Sequence, residues 1–369
     1  MTYCTLGNGE FLVDVAVIGA GIAGLVCAQQ LHLAGYKVVV VDKSRGLGGR
    51  VATRRLYDTC ADHGACYLKP KEELLGRFVQ VLLKRGILNL WSDTYEYSQN
   101  QLKKATDPCY IAPIGMSACA KFLASGLEIW RSQRVDALNF DFVNPNWTLH
   151  TNSDDTATKR SKLTAKAVVF AIPSPQAFTL LQPLANIPAI FLEQLSRVEF
   201  DPCLSVIAGY STQLHPLPDW KAITFVDDSV LRWIGLDSSK RTAGQLSVFV
   251  LHSSADFARR YLEAKDFDPV GYQMLAHASE CLLPSLNYPE WMQVHRWRYA
   301  FPSRPLKSAY LSAQTELPLV CCGDWCGGDQ IDSAMHSGIA AAMEVNRQMY
   351  ARSLAGYNFL DFLIKAIND

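Results

Sequence analysis

The 369-residue sequence has no excess of charge of either sign: 35 Lys and Arg residues balance 35 Asp and Glu. It therefore lacks the basic field that binding to a phosphate backbone requires, and nucleic acid is not an expected partner. No apolar run approaches the ~20 residues that cross a bilayer. The first apolar stretch, Phe11–Ile18, has no basic flank and runs into glycines, so neither a membrane partner nor an export signal is expected, and a cytoplasmic location is. Regularly paired cysteines are missing too. The 11 cysteines are odd in number and irregularly spaced, which is the thiol usage of a reducing compartment and not a disulfide framework. No Ser-His-Asp order, nucleophile elbow or H-E-x-x-H helix occurs, so hydrolysis by those routes has no support. Cys321, Cys322 and Cys326 surround Asp324 without C-x2-C spacing, and the first two point to opposite faces of a strand, so no metal is expected. There is no internal repeat, no long low-complexity linker and no signal for an oligomeric state.

What the chain does have is apolar content, 49% against 19% charged, enough for a large core. At roughly 100–200 residues per domain, two domains are expected, interleaved or not. Phe11–Ile18 is valine-rich and reads as a strand covered on both faces. Helical spacing follows from Gly21 to Ala34, Gly35 ends it, and Lys37–Val41 is a second buried strand, which makes a βαβ unit. Helical pattern returns at Lys71–Arg85 and Ser117–Leu127. A hairpin is expected near Val135–Phe142 and Trp147–Thr151, then a solvated polar loop, Asn152–Lys162. Ala167–Ile172 is a further buried strand, stopped by Pro173-Ser174-Pro175 ahead of helix Gln176–Leu181. From Pro202 to about Pro305 aromatic-rich strands with partial alternation (Leu204–Gly209, Ala222–Val226, Leu246–His252, Gln293–Ala300) predict an antiparallel sheet. Strand Leu317–Cys322 and helix Ser333–Arg347 close the chain.

The strongest chemical signal is Gly19-Ala20-Gly21-Ile22-Ala23-Gly24, a G-x-G-x-x-G placed after a predicted strand and opening a predicted helix. Gly19 permits the tight turn, Gly21 lets backbone approach a pyrophosphate, and Gly24 lets helix and strand pack closely; the helix N-terminus offers free N–H groups to the anion. Asp42, ending the second strand, is placed to accept hydrogen bonds from a ribose diol. These residues alone leave NAD and FAD both open. The sequence continues Lys43-Ser44-Arg45-Gly46-Leu47-Gly48-Gly49-Arg50, where paired glycines allow close approach to a dinucleotide and Arg50 offers its phosphates a cation. Near the other end, Asp324 follows a buried strand and precedes a predicted helix; were the dinucleotide a flavin, Asp324 could accept from a ribityl hydroxyl and the positive end of the helix would face the ring edge that gains charge on reduction.

From Val15 to Arg50 the pattern resembles the flavin-binding amine oxidase superfamily, and within it the renalase-type members. The matching stretches are Asp42–Gly46 with Gly48-Gly49-Arg50, then Asp62–Tyr67, Gly115–Ala118, Arg296–Tyr299 and Gly323–Cys326, in order along nearly the whole chain. The resemblance implies non-covalent FAD lined by Gly19, Gly21, Ile22, Ala23, Gly24, Asp42, Lys43, Gly49, Arg50, Cys66, Tyr67, Val135, Asp324 and Ile331. Family members usually carry glutamine where this chain has Cys66. The implied fold is α/β: a Rossmann-like FAD domain from 11–66, 110–183 and 312–350, interleaved with an α+β substrate domain from 67–109 and 184–311 dominated by an antiparallel sheet. The implied reaction is hydride transfer from a small reduced substrate, such as the 2- or 6-dihydro isomers of NAD(P)H, to flavin N5, with dioxygen as acceptor. Substrate-wall candidates are Tyr67, Trp325, and His295, Trp297 and Tyr299, which alternate with Arg296 and Arg298 and so share one strand face. No catalytic acid or base stands out, as expected where the cofactor carries the chemistry. Two other readings stay open: oxidation of an amine or other small metabolite, with Tyr67 and Trp297 or Trp325 as the aromatic pair facing the flavin, and a flavin-binding sensor without turnover.

Overall fold

The computed structural model describes residues 5–6, 10–57, 59–153, 162–211, 217–241 and 246–368. Most of the polar loop expected at Asn152–Lys162 lies outside the described residues. The apolar segments assemble a first sheet of nine strands among the described residues. Glu10–Ile18 runs parallel to Val38–Val41 on one side and to Lys162–Phe170 on the other. Glu128–Trp130 extends the sheet beyond Val38–Val41, and Leu319–Cys321 lies parallel to the end of Lys162–Phe170. The predicted hairpin is present as Arg134–Asp141 and Asn146–Asn152, antiparallel to each other.

Both faces of this sheet are covered, which is why its strands read as unbroken apolar runs. Val15, Val17, Val38 and Val40 share one core with residues of helices Ile22–Leu33 and Ile331–Gln348, whereas Ala16, Ile18, Val39 and Val41 join Trp147, Leu181 and Phe191 on the other side. Helix Ile22–Leu33 is buried from Ile22 through Leu31, so it shows no polar stripe. Its closeness depends on two glycines. A Cβ on Gly24 would stand 2.1 Å from the Gly19 carbonyl oxygen, and one on Gly338 would stand 2.4 Å from that of Ala23.

The second sheet has seven strands, in the order Trp291–Arg304, Glu199–Tyr210, Ser247–Ser253, Leu231–Leu236, Ala222–Phe225, Thr94–Ser98, Gln101–Lys104. Its pairs are antiparallel except Ala222–Phe225 with Thr94–Ser98, a parallel pair that brings an early segment into a sheet otherwise made after residue 198. One face packs Leu204, Val206, Ile234 and Phe249 against helix Asp268–Cys281, while Ile207, Trp233 and Val250 on the other face join the core of the first sheet. The fold is therefore α/β with a Rossmann-like unit and an interleaved part dominated by an antiparallel sheet.

Strand Leu231–Leu236 and helices Ala189–Ser196, Ala255–Tyr261, Asp268–Cys281 and Phe359–Asn368 go beyond the sequence reading. Two of these helices carry local start signals. The Ser254 hydroxyl accepts from Phe257 N at 3.2 Å, and Pro269 occupies the first turn of Asp268–Cys281. Both lie inside the aromatic-rich stretch whose strand pattern dominates the sequence. No helix among the described residues is long and apolar enough to cross a membrane.

Replacing Gly24 with Ala forces a methyl into a backbone carbonyl that cannot move without opening the Gly19 turn. A loss of about 2–3 kcal/mol is expected in urea unfolding of the flavin-free protein. An unchanged midpoint would show that helix and strand do not meet as described.

Candidate functional site

The first βα turn forms an open cradle. Gly19 has φ +109 and donates its N–H to Val41 O at 2.8 Å, which holds the turn across the ends of two strands. Gly21 precedes helix Ile22–Leu33 with no side chain capping the first N–H groups. A Cβ on Gly21 would meet nothing within 4 Å, so the backbone there is open to the close approach of a pyrophosphate. The backbone of Gly48 pairs with Gly21, and Gly48 N donates to Ala20 O at 2.9 Å, so the second glycine pair lies beside the first. Asp42 sits next to them: its Oδ2 accepts from Ala20 N at 2.6 Å and its Oδ1 from Ser44 N at 2.7 Å. A carboxylate has about four acceptor positions, so two remain for a ribose diol. Gln133 N donates to Asp42 O, which brings the start of strand Arg134–Asp141, with Val135, to this edge. Ile22 and Ala23 are buried under the turn, and Lys43 is exposed at its rim.

At the other end, Arg50 and Asp324, assigned from sequence to phosphate and ribityl hydroxyl respectively, are joined to each other. Arg50 Nη1 donates to Asp324 Oδ2 at 2.5 Å and Nη2 to Oδ1 at 2.7 Å, a forked pair, and Nη1 also reaches Ala300 O at 3.0 Å. Three of the five guanidinium donors are thus used, and two stay available to an anion. Asp324 is nearly buried and Arg50 about one-third exposed. Gly323 N donates to Ser337 Oγ at 3.0 Å, which ties the Asp324 turn to helix Ile331–Gln348. Ile331 is that helix's first residue, and no side chain caps its N-terminus.

Between the two sheets lies a buried ionic group that the sequence did not announce. Lys240 donates to Asp62 at 3.1 Å and to Asp237 at 2.6 Å, with all three side chains fully buried, and Arg241 pairs with both acids. Asp62 Oδ1 also accepts from Thr53 Oγ1 and Met116 N. Burial alone would raise the Asp62 carboxyl; Lys240, these hydrogen bonds and Arg241 more than offset that and hold it below the usual range. Burial opposes the Lys240 charge, yet the two acids hold its ammonium above the ordinary lysine value. Two acids facing two bases leave no uncompensated charge.

This group fixes the segment Asp62–Tyr67 against the cradle. Ala65 N donates to Arg50 O at 2.7 Å, and a Cβ on Gly64 would stand 2.0 Å from that oxygen. The His63 ring stacks on Trp297 at 5.1 Å and meets His295 edge-on at 4.7 Å, and the Trp297 indole N–H donates to His63 O at 2.9 Å. Burial, then the neighbouring His295 and Arg54, depress the His63 imidazole to about 3. Burial also depresses His252 to about 4. This wall is neutral. The Cys66 thiol donates inward to Asp62 O at 2.9 Å, and burial pushes it well up, so it is an inert thiol. Tyr67 packs beside Trp91 and Trp233, its hydroxyl pushed by burial to about 12.

Two substrate candidates lie elsewhere. Strand Trp291–Arg304 shifts register between the pairs Cys203↔Trp297 and Asp201↔Phe301, so Tyr299 leaves the row of His295 and Trp297. Tyr299 packs on Phe200 and lines a cleft of about 300 Å³ together with Arg298, the residue expected on the opposite face. Trp325 is only 1% exposed, and its indole N–H donates to Ile172 O inside the core of the first sheet, so it belongs to no substrate wall. His63, His252, Lys240 and Asp237 are absent from the candidates the sequence offers; the one signal near any of them is the stretch Asp62–Tyr67, which contains His63.

Two outcomes follow. Gly21→Ala places a methyl in the cradle; stability of the flavin-free protein should stay within about 1 kcal/mol, while flavin retention on gel filtration should fall at least tenfold. Retention equal to the parent would remove Gly21 from the cofactor contact. His63 and His252 are held neutral in the folded protein but titrate near 6.5 when unfolded, so protons favour the unfolded chain as pH falls below about 6.5. The stability they allow is complete above that pH and is lost toward pH 4, on the order of 3 kcal/mol per histidine. Tm measured from pH 8 to 4 should fall accordingly, and His252→Asn should flatten the slope; equal slopes would show that its ring is not buried.

A family model for an NAD(P)-binding Rossmann-like domain matches residues 17–82, and one for flavin containing amine oxidoreductases matches residues 70–346. A putative flavin-containing monoamine oxidase, AofH, of Mycobacterium tuberculosis is 38% identical over 66 residues, 18% of this chain and 14% of that protein. An L-amino acid oxidase, Cdc18, of Crotalus durissus cumanensis is 38% identical over 66 residues, 18% of this chain and 13% of that protein. The matched stretch thus spans only a small part of those relatives. Putrescine oxidase bound to putrescine superposes with a TM-score of 0.67 at 14% identity over 92% of this chain and 100% of that one. A putative protoporphyrinogen oxidase from Exiguobacterium sp. 255-15 does so with 0.67 at 11% identity over 94% and 100%. At such identities the likeness shows the fold. With residues 70–346 matched, most of its length, the chain belongs to the family of flavin containing amine oxidoreductases, and that membership implies a flavin cofactor.

Proposed function

We propose that the protein is an FAD-dependent oxidase of renalase type, which takes a hydride from a small reduced ring such as the 2- or 6-dihydro isomers of NAD(P)H, with dioxygen as final acceptor. FAD and its non-covalent attachment are supported by the open backbone at Gly21, by the two acceptor positions of Asp42 that Ala20 and Ser44 leave unused, and by the inert, inward-turned Cys66 thiol. A bound flavin would supply the electron acceptor; the chain's own residues hold it and shape the space for substrate.

The observation that carries the substrate reading is the neutral wall of His63, His295 and Trp297 with Arg54 at its edge. Arg54 is exposed, and its charge helps keep both imidazoles neutral. Flat neutral rings suit a dihydropyridine, and a cation at the rim suits the phosphates of a dinucleotide. An ammonium substrate would instead meet like charge there. A second reading, oxidation of an amine, rests on Tyr67, whose ring packs beside Trp91 and Trp233 with centroids 6.3 and 6.0 Å away, an aromatic group of the kind that suits an amine.

Anaerobic mixing decides between them. The dihydro isomers should bleach the flavin absorbance faster than ordinary NADH and faster than any amine; bleaching by amines alone would overturn the proposal. Arg54→Ala should raise the concentration needed for half-maximal bleaching by about tenfold at little change in limiting rate, the mark of a lost phosphate contact. No change would remove Arg54 from substrate binding.

A further inference from the structure

On the face of the second sheet turned away from Trp233 and the first sheet, three side chains with different donor atoms converge. His277 and Cys281 stand four residues apart in helix Asp268–Cys281, which places them on one face at its C-terminal end. Asp228 comes from the turn that leads into strand Leu231–Leu236. Asp228 Oδ2 lies 2.8 Å from His277 Nε2, Cys281 Sγ lies 3.8 Å from the same nitrogen, and the three donor atoms all fall within 4.8 Å of one another.

The arrangement is preset on the acid side. Asp228 Oδ1 accepts from Val230 N at 2.8 Å and Leu231 N at 2.7 Å, which fixes the carboxylate with Oδ2 aimed at the imidazole. Such hydrogen bonds to the far oxygen orient a carboxylate ligand. Tetrahedral zinc, with nitrogen or oxygen at about 2.0–2.1 Å and sulfur at about 2.3 Å, sets N···S near 3.6 Å and N···O near 3.3 Å. The observed nitrogen–sulfur separation is within a few tenths of an ångström of that, and the nitrogen–oxygen pair has to open by about 0.5 Å. The last carbonyls of the helix add the negative end of its dipole. His277 is 25% and Asp228 15% exposed, so an ion can enter and a water can complete the coordination.

We infer that Asp228, His277 and Cys281 form a binding site for one divalent cation of zinc type, separate from the flavin cradle. Imidazole, thiolate and carboxylate together are a donor set suited to zinc. Binding displaces the thiol proton of Cys281 to solvent, and His277 ligates through Nε2 as the neutral ring with its proton carried on Nδ1, so no oxidant or reductant is involved. The ion fastens the end of helix Asp268–Cys281 to the turn at Asp228. That helix lies against strand Trp291–Arg304, its Gly271 facing Met292 and Val294, so the ion braces from behind the strand that carries His295 and Trp297.

The test uses tag-free, flavin-loaded protein, stripped with a chelator and dialysed against micromolar zinc. One zinc per chain is expected, with a rise in Tm, and zinc-edge X-ray absorption should show one sulfur at about 2.3 Å. Cys281→Ser should remove that sulfur, and Cys281→Ser and His277→Gln should each weaken retention at least tenfold while flavin content stays at the parent level, which shows the variants folded. A parent protein that retains no zinc, zinc without sulfur in its shell, or both variants retaining zinc as the parent does would each overturn the site. Because the readout is zinc and not turnover, its failure is distinct from failure of the proposed oxidase activity.

Discussion

The forked pair between Arg50 and Asp324 is the contact on which the arrangement of the whole site depends. It joins residues 274 apart in sequence, and the third bond of Arg50, to Ala300 O, adds the strand that carries His295 and Trp297. One guanidinium therefore sets the positions of the glycine cradle, the turn before helix Ile331–Gln348 and strand Trp291–Arg304 relative to one another. Its planar fork matches the carboxylate edge in a way a lysine could not. The partly buried location strengthens the attraction while the second oxygen and the carbonyl spread the charge, so the pair orients without leaving an unmatched ion.

Behind it, the group of Asp62, Lys240, Asp237 and Arg241 does a related task in a drier place. Asp62 belongs to the hairpin Thr53–Leu56 and Thr59–Asp62, whereas Lys240 and Asp237 lie in a short turn between two strands of the second sheet. Their mutual neutralisation makes burial tolerable and also makes the juxtaposition specific, because separating the two sides would leave charges of both signs in an apolar interior. The segment from Asp62 to Tyr67 is thus gripped from both ends: by the ionic group at Asp62 and by Arg50 O at Ala65. In the wall beside it the His63 imidazole stays neutral because it is buried and faces His295 and Arg54.

The glycine turn and the acid beside it were legible in the sequence because each requirement there is local. Gly19, Gly21 and Gly24 answer backbone needs within six residues, and Asp42 ends the adjacent strand, so spacing alone places them together. The alternation rule placed His295 and Trp297 together correctly but carried Tyr299 with them. That error has a physical cause: a register shift against Glu199–Tyr210 turns the strand after Trp297, and nothing in the strand's own residues encodes it. Trp325 was likewise drawn toward the flavin by its neighbour Asp324, although the turn directs the two side chains oppositely, the acid to Arg50 and the indole into the core.

By itself, the sequence determined the parallel βαβ unit, the glycine turn, the acid at the strand end, and the mixed architecture of a doubly covered sheet with an antiparallel partner. Those follow from periodicity, from positions where only glycine fits and from short spacing. The tertiary structure alone decided that Arg50 meets Asp324, that Lys240 is buried between two acids, that His63 is a wall residue and that Asp228 stands beside His277 and Cys281. These depend on strand register and on contacts between segments tens to hundreds of residues apart, and such contacts leave no trace in local pattern because a buried charge or ring looks the same in sequence as a solvated one.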